Sequence, residues 1–200
     1  MSPRPRTVSD EDIIAAAERI VGRAGFAALT LADVGAEARL SPATIVQRFG
    51  SKRGLLLALT GASAQRVEAA FAQARAEFDS PVAALIAAAS AVAHIVGAPS
   101  ELASQLTFLQ ADPDDEEFRS HGVEHATRAR AGYRKLVEEA LHDGELAGVG
   151  ADELAGAIES IATGALLSWA IHREGDAATA VQRNVTTLLR GYGRGAWARP

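Results

Sequence analysis

Apolar residues recur every three or four positions along nearly the whole chain, and the alternation expected of strands is missing, so the pattern predicts an all-α protein. The first run puts Ile13, Ala17, Ile20, Val21 and Ala24 on one helical face. Ser9 stands where it can cap this helix, with Asp12 three residues on as an approximate capping box, and Gly25 is placed to end it. Thr30, followed by Asp33, opens a second helix of about two turns whose inner face is Leu31, Val34 and Ala38. Arg39 and Leu40 make a tight turn. Ser41 caps a third helix with Pro42 at its first position, where a missing N–H costs nothing, and Gly50 ends it. Ser51 opens a long fourth helix reaching about Phe78. Pro81, Pro99 and Pro113 mark later breaks, between helices expected at about 81–97, 100–110, 115–143, 151–172 and 176–192. No repeat or low-complexity linker divides the chain, so the fourth helix is expected to join its two parts rigidly.

Two short helices with a tight turn between them, following a longer helix, match a helix-turn-helix. Ile45 and Phe49 are four apart and must both face inward. The opposite face of the third helix then carries Ala43, Thr44, Val46 and Gln47, with Arg48 on its flank. These side chains suit a major groove. Gln47 can bond adenine bidentately, Arg48 can reach guanine or a phosphate, and Val46 or Ala43 can touch a thymine methyl. Lys52 starts the fourth helix, where the dipole disfavours a cation by a few tenths of a kcal/mol; a DNA phosphate would compensate. Arg4 and Arg6 lie on an arm with two prolines, which suits either a minor groove or a solvated tail.

Charge sharpens this picture. The net charge of −5 argues against nucleic acid at first sight, but residues 1–55 carry +2 and residues 56–200 carry −7. A mildly basic head on an acidic body suits a protein that touches DNA with one end. The absence of cysteine excludes disulfides, thiolate nucleophiles and Cys-based zinc sites. The N-terminus lacks the apolar core of a secretory signal, and the stretches 82–96 and 161–171 are shorter than a bilayer span, so a soluble cytoplasmic protein without a membrane partner is expected.

The run from Ile13 to Leu59, with Gly25-Phe26, Thr30-Leu31, Ser41, Phe49, Lys52 and Leu55 as its landmarks, resembles the DNA-binding domain of TetR-family transcriptional regulators. The resemblance covers about a quarter of the chain. It implies that Thr30, Ser41, Thr44, Gln47 and Lys52 lie near DNA, and with the groove-facing residues and the turn the expected DNA-binding set is Thr30, Arg39, Ser41, Pro42, Ala43, Thr44, Val46, Gln47, Arg48 and Lys52. The chain departs from the family pattern in two places. Arg39 stands in the turn where glycine is usual, and Val46 in the recognition helix where tyrosine is usual. Val46 cannot give the phosphate bond of that tyrosine, and Arg39 can supply charge from the turn instead.

The remainder has no motif of comparable strength. One stripe carries Leu154, Ile158, Ile161, Ala165 and Trp169, with Ala157, Gly164 and Ser168 small enough for close packing; another carries Ala177, Val181, Val185, Leu188 and Tyr192. Two such helices from each of two chains would form a four-helix homodimer seam, an arrangement the resemblance also implies. The alternative is packing within one chain. The resemblance further implies a ligand pocket in the middle helices, with His94, Gln105, Phe108, Leu109, His121, Tyr133 and Trp169 as candidate lining groups for an apolar or amphipathic small molecule; each also reads as an ordinary core residue. His121 and His125 share a helix face with Glu117 nearby, too little to define a metal site. The acidic run 112–117 reads as a loop leading to a helix N-terminus. The glycines of 191–195 follow a helix and not a strand, unlike a phosphate loop. The chain lacks cysteine, a Ser/His/Asp arrangement with family spacing and a dense metal cluster, so an enzyme is not expected.

The expectation is therefore a helix-turn-helix head over 1–55 and a helical ligand-binding and dimerisation body over 56–200. Its partners would be a palindromic double-stranded DNA site, a small-molecule effector and a second copy of the chain, with no cofactor. A helical protein-interaction adaptor with a degenerate helix-turn-helix is the alternative.

Overall fold

The structure, a computed structural model, describes residues 8–94 and 116–194. Among these, eight helices account for the regular structure: α1 (Asp10–Ala28), α2 (Leu31–Ala38), α3 (Pro42–Phe49), α4 (Lys52–Glu77), α5 (Pro81–His94), α6 (Glu116–His142), α7 (Ala151–His172) and α8 (Ala177–Arg190). The helix expected at 100–110 lies outside the described residues.

The caps read from the sequence are formed. Ser9 accepts from the Asp12 amide while the Asp12 carboxylate accepts from the Ser9 amide, a complete capping box. Thr30, Ser41 and Ser51 each accept from the amide three residues on, at 3.1 Å. Gly25 interrupts α1 with φ 83° and ψ 166°, but a further helical turn follows before Leu29, and Ala24 ends up exposed instead of on the inner face.

Two apolar clusters form. The smaller contains Ile13, Ala17, Ile20 and Val21 of α1, Leu29, Val34 of α2, Ile45 of α3, and Leu55, Leu56 and Leu59 of α4. The larger gathers Val67, Phe71 and Ala74 of α4 with the inner faces of α5 to α8. Thus α4 belongs to both, its first turns in one core and its last turns in the other. In the larger cluster Phe71 crosses Tyr133 edge to face with ring centroids 4.9 Å apart, a favoured aromatic geometry. Gly132 lets this happen, because a Cβ there would fall 2.5 Å from the Phe71 ring.

The stripes on α7 and α8 are used inside the chain. Leu154, Ile158, Ala165, Ala177, Val181 and Val185 are buried in the large core, while Ile161, Trp169, Leu188 and Tyr192 pack at its edge. The buried residues of these stripes are therefore used within the chain, the alternative the sequence left open, while Ile161, Trp169, Leu188 and Tyr192 stay half-buried and Gly164 and Ser168 are exposed. The outward side of α7 is a different set: Ser160, Gly164, Leu167, Ser168 and Ile171, all exposed, with Ile171 at 68%. By length and composition the whole of α7 is apolar enough to cross a membrane, more than the stretch 161–171 suggested. Its buried inner face is that of a packed core helix.

Glycine at position 35 is a packing requirement of the head. A Cβ there would lie 2.7 Å from the Leu40 carbonyl oxygen and 3.3 Å from the Pro42 nitrogen, both backbone atoms. Alanine would ordinarily stabilise a helix interior by about 1 kcal/mol over glycine. Here the clash reverses the sign, so Gly35→Ala is expected to lower unfolding free energy by about 1–3 kcal/mol, measured by urea denaturation. A stabilised variant would show that the turn can back away from α2.

Candidate DNA interface

The geometry of the interface follows from α3. Ile45 is fully buried and Phe49 half-buried, which presses one face of this two-turn helix onto the head core. The other face is presented outward: Pro42, Ala43, Val46 and Gln47 are exposed, and Val46 is among the exposed large apolar side chains of the molecule at 44%. Ser41 and Thr44 share a hydroxyl–hydroxyl bond of 2.8 Å, so the start of the helix is locally satisfied. Thr30, exposed, donates its hydroxyl proton to Asp33. Lys52 is the first residue of α4, half-buried, immediately after the loop that ends α3.

The turn between α2 and α3 explains one departure from the family pattern. Arg39 adopts φ 58° and ψ 40°, the left-handed region. Its amide donates to the Ala36 carbonyl and the Leu40 amide to the Gly35 carbonyl at 2.7 Å, closing α2 in the Schellman manner. Glycine is the residue that takes this conformation without strain. What arginine adds is charge. Among the described residues Arg39 makes no ion pair, whereas Arg19 and Arg23 both bond Glu37 and hold its carboxyl below the usual range. Arg53 pairs with Glu117 at 2.6 Å.

Arg48 is not presented as the sequence suggested. Its Nη1 donates to the Val8 carbonyl at 2.6 Å, and its Nε lies 2.6 Å from a carboxylate oxygen of Asp10. The side chain is folded back onto the start of α1 and does not extend outward from α3. Sequence spacing could not show this, since the partners lie some forty residues away. The need for glycine at 35 was missed because it depends on where the Leu40 and Pro42 backbone returns after the turn. Arg4 and Arg6 lie outside the described residues.

The candidate ligand residues are brought together only in part. Gln105, Phe108 and Leu109, and the side chain of His94, lie outside the described residues. Tyr133 is buried in the large core, where burial pushes its phenol well above the usual value. Trp169 sits at the edge of that core and donates its indole N–H to the Gly175 carbonyl at 3.1 Å. It lines a groove of about 460 Å³ between α7 and α8, with Gly164, Ser168, His172, Arg183 and Asn184. His121 is elsewhere, half-buried, against Gly61 of α4, with its Nδ1 3.9 Å from Glu124. Among the described residues no group of three or more metal-ligating side chains comes together.

A helix-turn-helix with an outward-facing recognition helix, mounted through α4 on an all-helical body, defines a DNA-binding protein of the regulator class. Residues 13–59 match the model of bacterial regulatory proteins, tetR family. Most of the chain is similar in fold to solved proteins of that kind. A TetR transcription regulator from Haloarcula marismortui has a TM-score of 0.73 at 18% identity, over 92% of this chain and 98% of that one. A TetR-family regulator from Agrobacterium tumefaciens has 0.72 at 21%, over 92% and 97%. The fatty acid degradation regulator FadR from Bacillus halodurans has 0.71 at 17%, over 94% and 97%. A search of curated protein sequences gives no match. Residues 13–59 therefore match the DNA-binding domain of the tetR family of bacterial regulatory proteins, and the chain shares the fold of solved regulators of that family.

Two outcomes follow from the site. Arg39→Gly removes left-handed strain and is expected to raise stability by about 1 kcal/mol in urea denaturation. If Arg39 supplies a phosphate contact, the same variant binds DNA with a shallower salt dependence. The second concerns His125, half-buried on α6. Burial and the nearby Arg66 charge hold its pKa below the usual 6.5, with Glu159 pulling the other way. The unfolded chain therefore takes up a proton before the folded one does. Stability is full above about pH 6.5 and falls as pH drops through the depressed folded value. The urea midpoint should decline from pH 7 to 5 and decline less in His125→Gln. Equal slopes in the two proteins would remove His125 from the account.

Proposed function

We propose that this regulator acts as a dimeric repressor that leaves a palindromic operator when a small molecule binds its helical body. The observation that carries the reading is the α3 face: a buried Ile45 beneath and an exposed row of Ala43, Val46 and Gln47 above. In this reading residues 1–55 are the DNA-binding head and 56–200 the regulatory and dimerisation body, with α4 shared between them. Gln47 reads a base, Val46 or Ala43 touches a thymine methyl, and Thr30, Arg39, Ser41, Pro42, Thr44 and Lys52 lie along the phosphates or close to them. The Arg39 charge in the turn takes over the phosphate role that Val46 cannot fill.

A second copy packs on the outward side of α7 and α8, where Gly164, Leu167, Ser168 and Ile171 are exposed beside the groove. Small residues there allow close helix approach, and apolar ones favour it. The two recognition helices would then enter successive major grooves about 34–36 Å apart. An apolar or amphipathic effector, held in the body, favours a spacing that fits the operator less well and so shifts the population off DNA.

The experiment is selection of bound sequences from a random DNA library, followed by a salt titration on the best site. An enriched palindrome is the expected result. Gln47→Ala should then relax one base position per half-site by about 1–3 kcal/mol. Lys52→Ala should weaken all sites alike and reduce the salt slope by about one per subunit. An effector that saturates the body yet leaves operator affinity unchanged would remove the release mechanism. With no sequence enriched at low salt, the head is not a DNA reader, and protein-binding becomes the better reading.

A further inference from the structure

The recognition helix is short, and its apolar contact with the head core comes from two side chains, Ile45 and Phe49. Hydrophobic contacts at one side of a two-turn helix leave its roll and tilt weakly set, because they are not directional. Arg48 supplies direction from the flank. Its Nη1 donates to the Val8 carbonyl at 2.6 Å and its Nε faces the Asp10 carboxylate at 2.6 Å. Both acceptors sit at the start of α1, beside the Ser9–Asp12 capping box that rigidifies that end. A planar guanidinium with two fixed acceptors holds geometry better than a single charge contact does. A guanidinium engaged in this way has lost the fork it would need for guanine.

We propose that Arg48 is a positioning residue: it latches the recognition helix α3 to the N-terminal end of α1 and so sets the pose in which Gln47 and its neighbours meet DNA. The inference rests on the DNA-binding reading above. It also accounts for Asp10. A carboxylate on the DNA-facing module opposes a polyanion by charge alone, and the latch gives it a use.

Asp10→Asn separates the possibilities by sign. Charge alone makes this variant bind DNA more tightly, and a base- or phosphate-reading Arg48 would be freed by it. The latch makes it bind the operator more weakly. Operator affinity is measured for the full chain, for Asp10→Asn, Arg48→Ala, Arg48→Lys and the Asp10→Asn/Arg48→Ala double variant. Unrelated duplex of equal length and the melting temperature serve as controls. Each single variant is expected to lose about tenfold in operator affinity, within the range contacting pairs show, with the double variant no worse than Arg48→Ala. Affinity for unrelated duplex should not fall in Asp10→Asn, and base preference at every operator position should be kept. Arg48→Lys, which keeps the charge but cannot hold both acceptors, should behave like Arg48→Ala.

Unchanged or tighter operator binding by Asp10→Asn overturns the latch. So does relaxed preference at one base pair in Arg48→Ala, which would make Arg48 a reader. A lower melting temperature with unchanged operator affinity would reduce the contact to a stabilising one and overturn the proposal as well. If the unsubstituted chain itself discriminates no operator, the DNA-binding reading has failed and the latch has nothing to position; that result is distinct from all the others.

Discussion

Helix α4 must satisfy two cores with one rigid rod. A helix that packs on a single core shows one apolar stripe, whereas α4 buries Leu55, Leu56 and Leu59 in the head and Val67, Phe71 and Ala74 in the body. Because every backbone bond between these two sets is helical, the head cannot reorient without bending α4 or breaking a core contact. That constraint turns two small packing problems into one mechanical unit. In place of a linker, the structure has one continuous helix over Lys52–Glu77.

Polar contacts reinforce the same axis. Arg66 of α4 pairs with Glu18 of α1, Arg53 at the start of α4 with Glu117 of α6, and Arg128 of α6 with Glu68 of α4 at 2.9 Å. Exposed pairs of this kind contribute little stability each, roughly 0–1 kcal/mol. Their value is geometric, since they join α1 and α6 to one helix at several heights. In the proposed reading, a rearrangement of α6 around a ligand is felt at the base of the head through those contacts. Glu145 does similar work at the far end, accepting from the Ser80 hydroxyl at 2.9 Å and the Val82 amide at 3.0 Å to anchor the start of α5.

Local chemistry was legible in the sequence, and long-range chemistry was not. Ser9, Thr30, Ser41 and Ser51 announced their caps because the acceptor and the amide it serves are three residues apart. Ile45 and Phe49 gave the inner face of α3, and through it the outer one. Arg48 could not be read, because its partners sit at Val8 and Asp10 and spacing along α3 says nothing of them. The need for glycine at 35 depends on where Leu40 and Pro42 return after the turn. The stripe of Leu154, Ile158 and Ala165 was seen as an apolar face, but periodicity cannot say whether a face turns to its own chain or to another. Tyr133 and Trp169 are both candidates for the pocket that the family resemblance implies; packing puts one inside the core and the other at its rim.

The length of the recognition helix bears on what the exposed side of α7 is for. Eight residues at 1.5 Å each span about 12 Å, enough for only a few base pairs in one groove. A single head of this size gains discrimination from few bidentate contacts, each contributing roughly 1–3 kcal/mol, which is modest against the background of non-specific duplex. Two heads on one rigid frame double the readout and add a spacing requirement that random sequence seldom meets. The chain carries a face suited to building that frame, with Gly164 and Ser168 small and Leu167 and Ile171 apolar, all turned away from its own core. In the proposed reading the two features explain each other: the short reading head needs a two-fold, and α7 offers the surface on which one can form.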